Sequence, residues 1–161
     1  MRGSDVLPSA SAPALSHDLD SSIPYLIARA GVRTGQAFSV ELRQFDLSLT
    51  EWRVCAALRQ QSHQRLSDLA LNTSSDASTL SRTVDGMIQR GLLLRERSAE
   101  DARAVALALT EMGESLTDRV IPLARLYERV ALAGINPQDV DHLRTMLRRI
   151  YDNMESLVKS E

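Results

Sequence analysis

The side chains in this sequence best suited to chemistry lie between residues 75 and 82. Ser75, Ser78, Thr79 and Arg82 fall at i, i+3, i+4 and i+7, with Ser81 beside them. That spacing lines up one face of a helix. Short hydroxyls and one arginine on a helix can come close to base edges and phosphates. A second group, Tyr25, Arg29 and Arg33, falls at i, i+4 and i+8. An aromatic wall with guanidinium groups can hold a ring that bears a carboxylate. The alternative is a solvated face with intermittent salt bridges. Trp52, Phe38 and His17 are weaker candidates for the same pocket, and Trp52 also suits a core. Cys55 sits beside Val54 and Leu58 on an apolar stretch, where a free cysteine is ordinarily buried. A redox sensor would need it exposed and ionised. His63 and His142 lack partners at metal-ligand spacing, so no metal site is expected. There is no phosphate-cradling Gly-rich loop, Gly-x-Ser-x-Gly, His-x-x-x-His or Cys-x-x-Cys. The expectation is therefore a protein that is not an enzyme and carries no cofactor.

The elements that would position these residues are mostly helical. Residues 1–17 are rich in Ser, Ala and Pro without a period and read as a disordered arm. From about 19 to 45 a loose apolar stripe (Ile23, Leu26, Ile27, Ala30, Phe38) predicts a helix. Thr50 is the expected N-cap of a second. RLSDLAL (65–71) predicts a short helix, and NTSSD (72–76) a turn and cap. Leu80, Val84, Met87 and Ile88 give the helix over about 76–90 a clean apolar face, ended by Gly91. Residues 92–97 and 104–109 read as two strands of a hairpin, with Val105, Leu107 and Leu109 on one face. Thr110 is the expected cap of a long helix to about 133, which Pro122 should kink or break. Asn136-Pro137 opens a last helix to about 158. A hairpin directly after a helix-turn-helix is the order of a winged helix-turn-helix.

Composition limits the classes that remain. The chain has 161 residues, 43% hydrophobic and 25% charged, as an ordinary globular domain does. One cysteine excludes an intrachain disulfide framework. No apolar run approaches a membrane span and no signal peptide is visible, so the expected location is cytoplasmic, with no membrane partner. A net charge of −2 argues against a sequence-blind polyanion binder, but leaves room for a specific one whose positive charge is local. Lys159 is the single lysine among 19 basic residues, and arginine suits bidentate contacts to phosphate, guanine or carboxylate. The first and last helices exceed what a winged helix needs to cover its core. Their apolar faces call for a second copy in a symmetric dimer, which would also set two recognition helices about one DNA turn (~34 Å) apart.

Taken in order, these segments resemble the MarR family of bacterial transcriptional regulators over about residues 20–158. DLSLTEWRVCAAL is similar to its second helix, and RLSDLAL to the first helix of its helix-turn-helix. STLSRTVDGMIQRGLLLRE is similar to its recognition helix and first wing strand. EDARAVALALTEMG carries its Asp-x-Arg and Leu-Thr-x-x-Gly signatures, and GINPQDVDHLRTMLRRI is similar to its last helix. The sequence departs from the pattern at Ala102, where many members have a second basic residue. Segment 65–103 holds six arginines and six acids. The resemblance implies a mainly α winged helix-turn-helix with a two-stranded wing and a dimerisation region from the N- and C-terminal helices. The implied division is an arm (1–17), a first helix (18–49), a DNA-binding lobe (50–109) and dimerisation helices (110–161). It implies major-groove contacts from Ser78, Thr79, Ser81 and Arg82, a phosphate contact from the amide and hydroxyl of Ser75 near the helix start, a minor-groove contact from Arg103, and support of the wing by Asp101 and Arg95. It further implies a homodimeric repressor on a pseudo-palindromic duplex, released by a small anionic aromatic acid or its coenzyme A thioester. Two alternatives stay open: redox regulation through Cys55, and a winged-helix protein-interaction module that binds no DNA.

Overall fold

Ser48 and Glu51 open the helix Leu49–Gln60 with a reciprocal cap. The Ser48 hydroxyl accepts from the Glu51 amide at 3.2 Å, and the Ser48 amide donates to the Glu51 carboxylate at 2.7 Å. Two of the amides that a helix start leaves unpaired are thereby satisfied. The N-cap is thus Ser48, not Thr50. The computed structural model describes residues 18–97 and 105–158. The chain divides into two compact units between Arg33 and Thr34.

In the first unit a 3-10 turn, Leu19–Ser21, is capped by Asp18 and leads into helix α1 (Ile23–Leu42). No described residue of this unit is buried. Its apolar side chains Ile23, Leu26, Ile27 and Val32 are exposed.

In the second unit α1 runs to Leu42 and tightens into a 3-10 turn, Arg43–Phe45, which Asp46 ends in the left-handed region. Helices α2 (Leu49–Gln60), α3 (Leu66–Thr73) and α4 (Ala77–Gln89) follow. Strands β1 (Leu93–Arg97) and β2 (Val105–Leu109) pair antiparallel, from Leu93 with Leu109 to Arg97 with Val105. Then come α5 (Glu111–Ala131) and α6 (Pro137–Val158). The apolar faces read from the sequence meet in one core. Leu42, Val54, Leu58, Leu69, Leu80, Val84, Met87, Leu93 and Val120 are buried there, each large side chain contributing roughly 1.5–3 kcal/mol. Phe38 joins it with its ring edge-on to Trp52 (5.8 Å) and Tyr127 (5.3 Å).

The hairpin differs from its expected pattern. Val105 is exposed, and Ala106, Leu107, Ala108 and Leu109 are all buried. Strand β2 packs against both α2 and α5, which removes the alternation a one-sided strand would show. Residue 64 adds a third rung: the Leu107 amide donates to the Gln64 carbonyl at 2.8 Å.

Helix α5 starts at a tight joint. The Thr110 hydroxyl accepts from the Gly113 amide (3.1 Å) and donates to the Gly91 carbonyl (2.6 Å), while the Thr110 amide donates to Leu92. Gly91 is left-handed, at φ 72°. At Gly113 a Cβ would stand 2.1 Å from the Leu92 carbonyl oxygen, so only glycine fits. The Thr-x-x-Gly element thus has a physical cause: it pins the end of α4, the start of β1 and the first turn of α5 at one point. Helix α5 continues unbroken through Pro122, which costs the ladder one hydrogen bond without ending it. In α6, Asn136 caps Pro137 as expected, its side chain accepting from the Asp139 amide at 2.9 Å. No residue of α6 is buried among those whose side chains are described.

Candidate functional site

Helix α4 presents the hydroxyl and arginine face to solvent. Ser78, Thr79 and Arg82 are exposed, and Ser75 and Ser81 are half-buried. The opposite face, Leu80, Val84 and Met87, is fully buried and fixes the rotation of the helix. Asp76 is the N-cap: its carboxylate accepts from the Ser78 and Thr79 amides at 2.8 and 3.0 Å and from the Ser78 hydroxyl at 2.7 Å. The Ser78 hydroxyl, and then the Thr79 amide, hold this carboxyl well below the usual carboxylate range. The Ser75 hydroxyl turns back to the Thr73 carbonyl at 3.3 Å.

The arginines of this lobe do different work. Arg90, just past α4, donates to Glu51 at 2.7 Å and binds both the carbonyl and the carboxylate of Asp46. It ties the far end of the helix to the capped start of α2. Arg95 on β1 pairs with Asp85 of α4, so its expected part in supporting the wing has a definite partner. The Arg82 side chain has no ion pair or hydrogen bond to other described residues. Within residues 65–103 Asp85 is taken up by Arg95, Arg90 draws on Asp46 and Glu51 from outside that segment, and the Arg82 side chain faces outward. Asp101, Arg103 and His17 lie outside the described residues.

Of the residues expected to hold a ligand, Tyr25 and Arg29 come together. The Arg29 guanidinium lies 5.5 Å from the Tyr25 ring centroid and 3.8 Å from Asp20. Arg33 is exposed one turn further along α1. Trp52 belongs to both readings, because it packs on the core and lines two cavities of about 600 and 420 Å³ on the flanks of α2. Cys55 is fully buried. Desolvation pushes its thiol up to about 11, against a smaller opposing hydrogen bond with Thr117. A thiol so placed is not a ready thiolate.

Three contacts were not foreseen from the sequence. The His63 ring lies 2.6 Å from Glu96 on β1. The buried Gln64 side chain donates to the Ala57 and Gln61 carbonyls and accepts from the Asn72 amide at 2.7 Å. Arg90 forms the clamp just described. The Ser-x-x-Glu spacing of the cap was visible in the sequence. The partners of His63, Gln64 and Arg90 carry no periodic signal.

A recognition-type helix with a buried apolar face, an exposed polar face and a two-stranded hairpin behind it defines a winged helix-turn-helix protein. The MarR family model matches residues 47–105. The chain is 30% identical over 130 residues to the HTH-type transcriptional regulator PecS of Dickeya dadantii, covering 81% of this chain and 76% of that one. The chain belongs to the MarR family. Its fold matches that of Bordetella bronchiseptica BpsR, whose DNA binding is regulated by 6-hydroxynicotinic acid (25% identity, TM-score 0.75, 85% and 98% of the two chains). It equally matches CouR of Rhodococcus jostii RHA1, a transcriptional repressor solved with p-coumaroyl-CoA (25% identity, TM-score 0.77, 84% and 95%). No helix among the described residues is long and apolar enough to cross a membrane.

Proposed function

We propose that this protein is a homodimeric repressor that binds a pseudo-palindromic duplex and is released by an aromatic acid or its coenzyme A thioester. The observation that carries the reading is the outward face of α4, where Ser78, Thr79 and Arg82, whose side chain has no ion pair among the described residues, stand on a helix rotated by its buried opposite face. Arg82 reads base edges in the major groove, flanked by Ser75, Ser78, Thr79 and Ser81. Arg103 reaches the minor groove, with Asp101 and Arg95 as supports of the wing. Dimerisation covers the apolar side chains that α6 leaves in solvent, among them Met146, Leu147, Ile150, Tyr151 and Met154. The ligand class rests on BpsR, whose DNA binding is regulated by a heteroaromatic acid, and on CouR, solved bound to an aromatic acyl thioester. Within this chain it rests on the cavities beside Trp52 and on the Tyr25–Arg29 pair, with Arg33 and His17 as further candidates. Burial of Cys55 argues against the redox alternative.

The test is fluorescence anisotropy on duplex DNA from upstream of the protein's own gene, with a shuffled duplex as control, at physiological salt. The native duplex is expected to bind with a large preference. Arg82→Ala should weaken it by about 1–3 kcal/mol, the scale of one good base contact, with the thermal melt unchanged. Equal affinity of wild type and Arg82→Ala for the native duplex would overturn the role given to that face.

A further inference from the structure

The cap of α4 fixes the polarity of one of its outward side chains. Asp76 Oδ1 lies 2.7 Å from the Ser78 hydroxyl, 2.8 Å from the Ser78 amide and 3.0 Å from the Thr79 amide. These bonds, that of the Ser78 hydroxyl foremost, hold the Asp76 carboxyl well below the usual carboxylate range. At neutral pH it is an acceptor only. The hydrogen between Asp76 and Ser78 Oγ therefore belongs to Ser78. A hydroxyl has one hydrogen and two lone pairs. Ser78 commits the hydrogen to the cap, and from its exposed position it offers lone pairs to what approaches. Arg82 stands one turn further along the same face, ~6 Å away by helix rise. A guanidinium only donates. The face thus sets an acceptor and a donor side by side.

We infer that Asp76 makes Ser78 a one-way reader, which accepts from an exocyclic amino group in the major groove and turns away a keto oxygen. The inference rests on the DNA-reading role of α4 proposed above and adds which bases that face takes. In the major groove adenine and cytosine offer amino hydrogens, at N6 and N4. Guanine and thymine offer carbonyl oxygens there, at O6 and O4. An amino group completes a bond with a Ser78 lone pair. A keto oxygen meets that lone pair with the Asp76 charge behind it, so the wrong base is repelled as well as unbonded. To satisfy a keto oxygen, the Ser78 hydrogen must leave a charged acceptor for a neutral one, and the charge-assisted bond is about twice as strong.

The consequence is a pattern by base type. At the base that Ser78 faces, A and C are interchangeable, while G and T are not. Arg82 has the opposite preference, for guanine O6 and N7. Its base lies within about two pairs of the first, since ~6 Å along the helix compares with ~3.4 Å per base step. Asp76 itself touches no base and is a positioning residue.

The experiment is selection of bound duplexes from a randomised library by the full chain, as wild type, Ser78→Ala, Ser78→Thr and Asp76→Asn. Anisotropy then compares A, C, G and T at every enriched position. Asparagine is as good an N-cap as aspartate, so Asp76→Asn keeps α4 while removing the charge that holds the hydroxyl. Each wild-type half-site should contain one position where A and C bind alike and G or T binds about tenfold more weakly, the scale of one hydrogen bond. Ser78→Ala should flatten that position and leave the guanine preference of Arg82 in place. Ser78→Thr, which keeps a hydroxyl, should retain the restriction. Asp76→Asn should narrow the ratio of A and C to G and T at that position alone. Losing a charge near phosphates shifts all duplexes together and does not alter this ratio. A ratio unchanged in Asp76→Asn shows a merely structural cap and overturns the inference. So does a Ser78-dependent position that takes a keto base. If the selected motif depends on Arg82 but not on Ser78, the DNA-reading role of α4 stands and the inference alone is overturned. If wild type enriches no sequence, that role fails and the inference falls with it.

Discussion

The DNA-binding lobe and the last helix have similar proportions of apolar residues and opposite fates. In the lobe, Leu58, Leu69, Leu80, Val84 and Met87 are each 2% exposed or less. On α6, Met146, Tyr151 and Met154 are each more than 50% exposed. The difference lies in what each region can close around. The lobe folds three helices, a hairpin and the start of α5 on themselves and ties the corners with Thr110, Gln64 and Arg90. Helix α6 has one described cross-helix ion pair, Arg144 to Glu128 of α5 at 3.0 Å. An amphipathic helix without an internal partner is made for an external one. The lobe is thus a finished domain, while α6 keeps an uncovered apolar face, which the proposed dimer would close.

The largest way to break this comparison is to open the lobe from inside. Gly113→Ala should cost at least about 3 kcal/mol, because the new methyl meets a backbone oxygen that can move only with the hairpin. Urea unfolding should show it, with loss of DNA binding in parallel; a wild-type midpoint would refute the joint. Next in size is a change to α6. Leu147→Asp with Ile150→Asp should weaken self-association by about a hundredfold or more, the scale of losing two interface anchors. Sedimentation should then find monomers whose lobe melts as before. Dimers at wild-type concentration would show that α6 is not the covered face.

Two smaller tests sharpen the contrast. Cys55 belongs to the closed region, so its thiol should react with a disulfide reagent at pH 8 only as fast as the lobe opens. Its pKa is raised when folded, so folding favours the thiol form. The stability it supports is present below the ordinary thiol pKa near 9 and is lost as pH rises towards about 11. Cys55→Ala should flatten that alkaline limb, and rapid native labelling would contradict the burial. Least is expected from Arg59 and Asp118, paired at 2.8 Å across the exposed side of α2 and α5. The Arg59 hydrogen bond lowers the Asp118 pKa. Its small contribution is therefore present above the ordinary carboxylate range and lost on acidification. Arg59→Met should leave the neutral melt nearly unchanged and alter only the acid limb, and high salt should erase the difference.

Most of the lobe was legible because its signals are periodic. The row Leu80–Val84–Met87 predicted both the helix and its buried face, and by subtraction the outward face that carries Arg82. Gly91 and Asn136-Pro137 marked ends by chain geometry alone. What escaped reading depends on distant neighbours. Alternation in β2 failed because α2 and α5 both cover it. The wing's third rung hangs on one backbone carbonyl of a polar loop, at Gln64. Pro122 was expected to interrupt α5, yet a long helix held by Thr117 and Val120 in the core tolerates one missing bond. Tyr25 and Arg29 met because they share a helix turn. The dual position of Trp52, on the core and on two cavities, needed the packing of α5 and α3 around α2.

Gln64 also bears on how such a lobe can drift over generations. Its side chain gives two hydrogen bonds to carbonyls and takes one from Asn72. Glutamate would set an oxygen against two carbonyls, and methionine would strand all three partners. No single replacement keeps the set intact. Positions 64 and 72 are therefore expected to change together or not at all, and variation in this corner of the lobe should proceed by paired steps.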